Sequence, residues 1–73
     1  MQYRQGGFML GKNIKKFRLK MKFTQDKLAR VADIPYTSIT KIETGVIKKP
    51  SVQAVAKIAK ALGVSIDELM EGA

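Results

Sequence analysis

The chain has 73 residues, with 14 Lys and Arg against 6 Asp and Glu, which gives a formal net charge of +8. This length allows one small domain with a modest core. Cys and His are absent, so the chain lacks disulfides, thiolate zinc ligands and the commonest catalytic bases and nucleophiles. We therefore expect neither an enzyme nor a metal or cofactor site.

The charge is unevenly distributed along the chain. Three of the acids, Asp67, Glu68 and Glu71, lie near the C-terminus. A basic cluster favours a polyanionic partner such as nucleic acid, with a merely solvated lysine-rich surface as the alternative. No apolar run approaches the ~20 residues of a membrane span, and the N-terminus lacks the apolar core of a signal peptide, which predicts a cytoplasmic, nucleoid-associated protein. The basic cluster comprises Lys12, Lys15, Lys16, Arg18, Lys20, Lys22, Lys27 and Arg30.

The N-terminal part of the chain changes character near residue 9. Residues 1–8 show no helical period and contain two adjacent glycines, so we expect a flexible arm. From 9 to 21, apolar residues recur at helical spacing and predict helix 1 with one buried face. A basic amphipathic helix on a membrane surface is the alternative, but the helices that follow offer a packing partner. The apolar stripe is Leu10, Ile14, Phe17 and Met21.

Residues 24–45 predict two short helices joined by a tight turn. Thr24 is a suitable N-cap for helix 2 over 25–32, with the side chain of Gln25 pointing outward. Asp33 tolerates the positive φ that a tight break needs, and Pro35 favours the start of helix 3 over 36–44. The inner residues are predicted to be Leu28, Ala29, Ala32, Ile39 and Ile42.

The outward face of helix 3 is polar and carries no acid. Glu43 lies beside the apolar stripe and need not face outward, and Gly45 is a natural helix stop. Lysine and threonine side chains can reach base edges, whereas an outward acid would repel phosphate. This face comprises Tyr36, Thr37, Thr40, Lys41 and Thr44.

The C-terminal third predicts two more helices. Ser51 caps helix 4, which ends at Gly63. Ser65 and Glu68 form a capping box for helix 5, with Val64 and Leu69 as its hydrophobic staple. The inner residues of helix 4 are Val55, Ile58, Ala59 and Leu62.

These residues resemble the pattern TQxxLA…IxxIExG of the Cro/C1-type helix-turn-helix family, also called the xenobiotic-response-element family. The resemblance covers residues 9–70 and implies an all-α, five-helix, lambda-repressor-like DNA-binding domain over 9–71, with the helix-turn-helix at helices 2 and 3. Asp33 stands where the family usually has Gly, Pro35 where it often has Ser, and Tyr36 where many members have Gln. The base preference of other members therefore cannot be carried over. The matching residues are Thr24-Gln25, Leu28-Ala29, Ile39, Ile42-Glu43, Gly45, Pro50-Ser51 and ALGVS at 61–65.

The resemblance also implies roles for individual residues. Arg18 and Glu43 match an ion pair that links helix 1 to helix 3. Helix 3 is similar to a recognition helix of the major groove, with Tyr36, Thr37, Thr40 and Lys41 in base-contacting positions. For each of these, a solvated surface residue is the alternative. The positions that resemble DNA phosphate contacts are Thr24, Gln25, Thr44, Lys48 and Lys49.

The implied function is a sequence-specific transcriptional regulator, most simply a repressor that binds a palindromic operator as a homodimer. One alternative is an antitoxin that binds a toxin protein and represses its own operon. Another is a basic protein that binds RNA or nucleoid DNA without sequence preference. The candidate dimer surface near helix 5 is Val64, Ile66, Leu69 and Met70, and for Val64 and Leu69 the completion of the monomer core is an equal alternative.

Overall fold

A computed structural model of the protein describes residues 6–71, with side chains from residue 9, and this part of the chain forms five α-helices and no strand. The all-α fold class predicted from the sequence is confirmed. The helices are α1 Gly6–Lys20, α2 Gln25–Ala32, α3 Tyr36–Glu43, α4 Val52–Leu62 and α5 Ile66–Met70.

Helix α1 differs from its predicted span at both ends. It begins at Gly6, so the expected arm is wrong over 6–8, and the rest of that arm lies outside the described residues. It ends at Lys20 because Lys22 adopts a left-handed conformation with φ of 60°. The N–H of Phe23 then donates to the carbonyl of Arg18 over 3.0 Å. The placement of Met21 on the buried stripe is wrong, since this turn leaves its side chain 45% exposed.

The core lies where the helices meet. Helix α1 packs on α3 and α5, and α2 packs on α3 and α4. The inner residues predicted for helices 2, 3 and 4 are confirmed as buried, and Phe23 is among the partly buried residues that pack against them. The buried core comprises Leu10, Ile14, Leu28, Ala29, Ala32, Ile39, Ile42, Val55, Ile58, Ala59, Leu62 and Leu69.

The predicted caps are confirmed and define where the short helices begin. The hydroxyl of Thr24 accepts from the N–H of Lys27 over 3.0 Å, and that of Ser51 accepts from the N–H of Ala54 over 3.1 Å. Ser65 and Glu68 exchange both bonds of the capping box. Such caps satisfy backbone donors that have no partner within the helix.

Helix ends follow the backbone conformations expected from the sequence. Asp33 is left-handed with φ of 59°, and Gly45 and Gly63 have φ of 86° and 70°. Glycine carries no penalty there, whereas a non-glycine residue is tolerated at a cost. Within residues 6–71, no helix has the length and apolar character needed to cross a membrane.

Candidate nucleic-acid interface

The turn between α2 and α3 holds the two helices in a fixed relation. The backbone N–H groups of Asp33 and Ile34 donate to the carbonyls of Arg30 and Ala29 over 3.2 and 2.9 Å. Pro35 follows with φ of −56° and ψ of 140° at the N-cap position of α3. Its carbonyl accepts from two N–H groups of the first turn of α3, so the proline begins the helix without losing a required donor.

The exposed face of α3 carries the side chains predicted to contact bases. Tyr36 is 50% exposed, Thr37 and Lys41 are exposed, and Thr40 is partly exposed. The Thr40 hydroxyl donates to the carbonyl of Thr37 over 2.8 Å, so it offers solvent an acceptor oxygen and a methyl group. Ile39 and Ile42 are buried on the opposite side.

The predicted phosphate-binding side chains flank this face and differ in the hydrogen bonds that they already make within the protein. Thr24 accepts a bond as N-cap, which leaves its hydroxyl hydrogen available for another acceptor. The Thr44 hydroxyl donates to the Thr40 carbonyl over 2.8 Å. Lys48 Nζ lies 3.2 Å from the Gly45 carbonyl, whereas Lys49 is exposed at the edge of a groove between the α2–α3 turn and α4.

A buried ion pair joins α1 to the last residue of α3. Arg18 Nε donates to Glu43 Oε2 over 2.7 Å, and Arg18 Nη2 donates to Glu43 Oε1 over 3.1 Å. The two side chains are only 9% and 3% exposed. Arg18 Nη1 also donates to the Phe23 carbonyl over 2.8 Å, so the guanidinium holds the loop before α2 as well. The pair removes the single acid of α3 from its solvent face.

Gln25 is bound to this pair rather than free. Its Nε2 donates to Glu43 Oε1 over 3.0 Å, so the expectation that the side chain is free to point outward is wrong. The reason is geometric: the first residue of α2 lies beside the end of α3, where the buried carboxylate has acceptor capacity to spare.

The surface around α5 is smaller than the predicted dimer surface. Leu69 is fully buried, so its inclusion in that surface is wrong and it completes the monomer core. Val64 is partly buried against the core. Ile66 and Met70 are each 41% exposed and are the members of the predicted set that remain largely accessible.

Two residues that position the helices, Gly11 and Asn13, were not identified from the sequence. A Cβ added to Gly11 would collide with the backbone carbonyls of Ile42 and Glu43, so α1 and α3 approach more closely here than any side chain permits. Asn13 is buried, and its Nδ2 donates to the carbonyls of Leu69 and Glu71 over 2.8 and 2.7 Å. A glycine inside a helical pattern was the available signal for such an approach, whereas nothing local marked the asparagine.

Comparison with known proteins gives concordant matches. A family model described as helix-turn-helix matches residues 14–69. The uncharacterized HTH-type transcriptional regulator YqaF of Bacillus subtilis (strain 168) is 44% identical over 55 residues, which cover 75% of this chain and 71% of YqaF. The HTH-type transcriptional regulator SinR of the same organism is 29% identical over 63 residues.

The match to SinR covers 86% of this chain but 57% of SinR, so the chain spans little more than half the length of that relative. The crystal structure of SinR, the master regulator for biofilm formation, in complex with DNA superposes with a TM-score of 0.83 at 27% identity. That match covers 85% of this chain and 98% of the other.

Proposed function

The chain belongs to the Cro/C1-type helix-turn-helix family, and from this premise we propose that it is a transcriptional repressor that binds double-stranded DNA sequence-specifically. The observation that carries the proposal is the exposed face of α3, where Tyr36, Thr37 and Lys41 stand together while Glu43 is buried. In this family geometry the second helix of the motif lies in the major groove. SinR, a similar protein, has been crystallised with DNA.

The base contacts follow from the chemistry of this face. The Lys41 ammonium is suited to donate to guanine O6 or N7. Thr37 is suited to a base edge or a thymine methyl, and Thr40 offers a methyl and an acceptor oxygen. Tyr36, at the N-terminal end of α3, is placed to contact a thymine methyl with its ring or a phosphate with its hydroxyl.

The phosphate contacts set the position of α3 without recognising sequence. Thr24 and Gln25 stand at the N-terminus of α2, where backbone N–H groups favour an anion. Thr44, Lys48 and Lys49 follow the C-terminal end of α3. Lysine contacts of this kind release counterions and make affinity depend steeply on salt.

Dimerisation is part of the proposal because one recognition helix covers only a short half-site. Ile66 and Met70 form an exposed apolar pair on α5, and we assign the dimer contact to them, with the exposed part of Val64. Two domains related by a two-fold axis would then bind a palindrome, and occupation of that operator represses transcription. The antitoxin alternative shares the DNA interface and adds a toxin as protein partner, so co-purification with the product of a neighbouring gene distinguishes the two.

The test is selection of the tightest binders from a randomised duplex pool, followed by fluorescence-anisotropy titration at stated salt. We expect an enriched palindrome that binds at least ~10³-fold more tightly than scrambled DNA. Lys41→Ala should lower affinity for the palindrome by roughly tenfold and relax preference at one base pair. Lys57→Ala is the matched control, since this exposed lysine lies on α4. Equal binding of all sequences would contradict the proposal.

A further inference from the structure

A second groove lies between α2 and α4, beside the groove at the α2–α3 turn. It has a volume of about 410 Å³, and the two grooves share Asp33 and Lys57, so they lie end to end along α4. None of the side chains assigned to bases or phosphates lines it. We call it the α2–α4 groove, and its lining residues are Val31, Ala32, Asp33, Lys57, Lys60 and Ala61.

The α2–α4 groove has an apolar floor and a basic wall. Val31 is 47% exposed, and the neighbouring Ala32 and Ala61 have only a methyl group each with which to cover it. Lys57 and Lys60 are exposed on α4, within one helical turn of each other. Their ammonium groups form no hydrogen bond or ion pair with the described part of the chain.

The positive charge of the wall is not compensated by the chain itself. Asp33 is the one acid among the lining residues, and it forms no ion pair with either lysine. Each lysine can therefore gain an acidic partner without first losing one. The apolar floor gains free energy when a partner removes it from water. The groove thus suits a partner that presents carboxylates and apolar side chains together.

We propose that the α2–α4 groove is a docking site for an acidic amphipathic helix of a partner protein. A helix that lies in a groove contacts it with apolar residues at i, i+3 or i+4 and i+7. Together, the two grooves follow α4 from Ala54 to Ala61, which is about 10 Å, or two turns of such a helix. The proposal goes beyond DNA binding and does not depend on it.

Nucleic acid and a second copy of the chain are the competing occupants. A phosphate backbone would bind the lysines but would leave Val31 exposed, because it presents no apolar side chain to the floor. A second copy would have to present α5, which is short and acidic. Its exposed apolar pair, Ile66 and Met70, is already assigned to the dimer contact. Charge and apolar character together therefore favour a separate acidic helix.

A synthetic peptide tests the docking site. The probe is a fluorescent peptide of about 20 residues of Leu, Ala and Glu, long enough to be helical in water, with its leucines on one face. A control peptide has the same composition in scrambled order. By fluorescence anisotropy, we expect the amphipathic peptide to bind about tenfold more tightly, because only it buries its leucines on the floor. Equal affinities would overturn the proposal, since net charge alone would then explain both.

Charge-neutralising variants locate the binding site on the wall. Lys57→Gln combined with Lys60→Gln should lower affinity for the amphipathic peptide about fivefold, which is the size of two surface ion pairs. Lys15→Gln combined with Lys16→Gln is the matched control, which removes the same charge from exposed positions of α1. Its effect should stay below about twofold, because salt screens distant charges. Equal losses in the two double variants would contradict the assignment.

The apolar floor has a matched pair of variants of its own. Val31→Ser should weaken binding of the amphipathic peptide about fivefold through lost apolar contact. Val52→Ser should leave it unchanged, because Val52 is 79% exposed at the start of α4 and does not line the groove. Urea denaturation establishes that each variant is folded under the binding conditions. Unchanged binding to folded Val31→Ser would overturn the proposal.

An NMR titration of the native chain gives a measurement that needs no variant. The amphipathic peptide should shift the amides of Val31, Lys57 and Lys60, and shifts confined to α1 or α5 would contradict the proposal. Duplex DNA should leave these three amides unshifted, and their response to DNA in place of the peptide would assign the groove to nucleic acid. Self-association that is lost in Val31→Ser would assign it to a second copy. Either result would overturn the proposal while leaving sequence-specific DNA binding a separate question.

Discussion

Helices α3 and α5 both attach to α1, but by different chemistry. The end of α3 is held by the buried ion pair of Arg18 and Glu43. The five-residue α5 is held by Leu69 in the core and by neutral hydrogen bonds from Asn13 to backbone carbonyls. The two attachments differ in how much stability is lost when one partner is removed, because an uncompensated buried charge is far more costly than a missing neutral hydrogen bond. Helix α3 is therefore the more rigidly specified of the two.

The largest expected effect comes from breaking the buried charge pair. Glu43→Ala should lower the free energy of unfolding by about 3–5 kcal/mol, because it leaves Arg18 buried without its partner. Asp26→Ala is the matched control, since Asp26 forms an ion pair with Arg30 over 3.1 Å at side-chain exposures of 59% and 77%. That loss should be about 0.3–0.5 kcal/mol. Urea denaturation measures both, and losses of equal size would contradict the contrast between buried and exposed pairs.

In the attachment of α5, the buried side chain of Leu69 should contribute most to stability. Leu69→Ala should cost about 2–5 kcal/mol, since the side chain is fully buried and leaves a cavity. The Met70 side chain, on the same helix, is 41% exposed. Met70→Ala should therefore lower the free energy of unfolding by much less than Leu69→Ala does, and should instead weaken self-association. Thermal unfolding together with sedimentation measures the two effects. The division of α5 into a core residue and a surface residue fails if Met70→Ala destabilises the monomer as much as Leu69→Ala.

A smaller effect is expected where α5 meets Asn13. Asn13→Ala should cost about 1–3 kcal/mol, because two carbonyls at the end of α5 lose their donor. Amide hydrogen exchange should become faster in α5 while the amides of α3 keep their protection. Equal loss of protection in both helices would show that the two attachments are not independent.

The smallest effect concerns the turn that follows α1, where the N–H of Phe23 donates to the carbonyl of Arg18. Lys22 has φ of 60°, which costs an L-residue about 1–2 kcal/mol relative to glycine. Lys22→Gly should therefore raise the free energy of unfolding by about 1 kcal/mol. Lys15→Gly, at an exposed position in the interior of α1, should lower it by about 1 kcal/mol. Chemical denaturation checks the signs, and a loss in Lys22→Gly would mean that the lysine side chain stabilises the turn.

Local chemistry explains most of what the sequence predicted about the fold. Thr24, Ser51 and Ser65 act as caps within three residues of their own position, and apolar spacing identified the buried faces. Met21 was misplaced because the left-handed turn at Lys22 lies beyond any periodic pattern. Periodicity describes a helix well but does not state where it ends.

From helical spacing alone, the site was predictable only where neighbours in sequence are neighbours in space, whereas the ion pair of Arg18 and Glu43, 25 positions apart, followed from the family resemblance. The polar face of α3 followed from helical spacing alone. The bond between Gln25 and Glu43 joins residues 18 positions apart, and that of Asn13 to Leu69 joins residues 56 apart. Such contacts depend on how the helices cross, for which the sequence held one local hint, the glycine at position 11.

An NMR titration of the native chain with the selected palindrome tests the central claim most directly. We predict the largest amide shifts along the exposed face of α3, at Tyr36, Thr37 and Lys41, and at the N-terminus of α2. The amides around Asn13 should move little, because that attachment lies on the α5 side. Shifts concentrated on α5 or spread evenly along the basic residues of α1, with α3 unchanged, would contradict the assignment of α3 as the recognition helix.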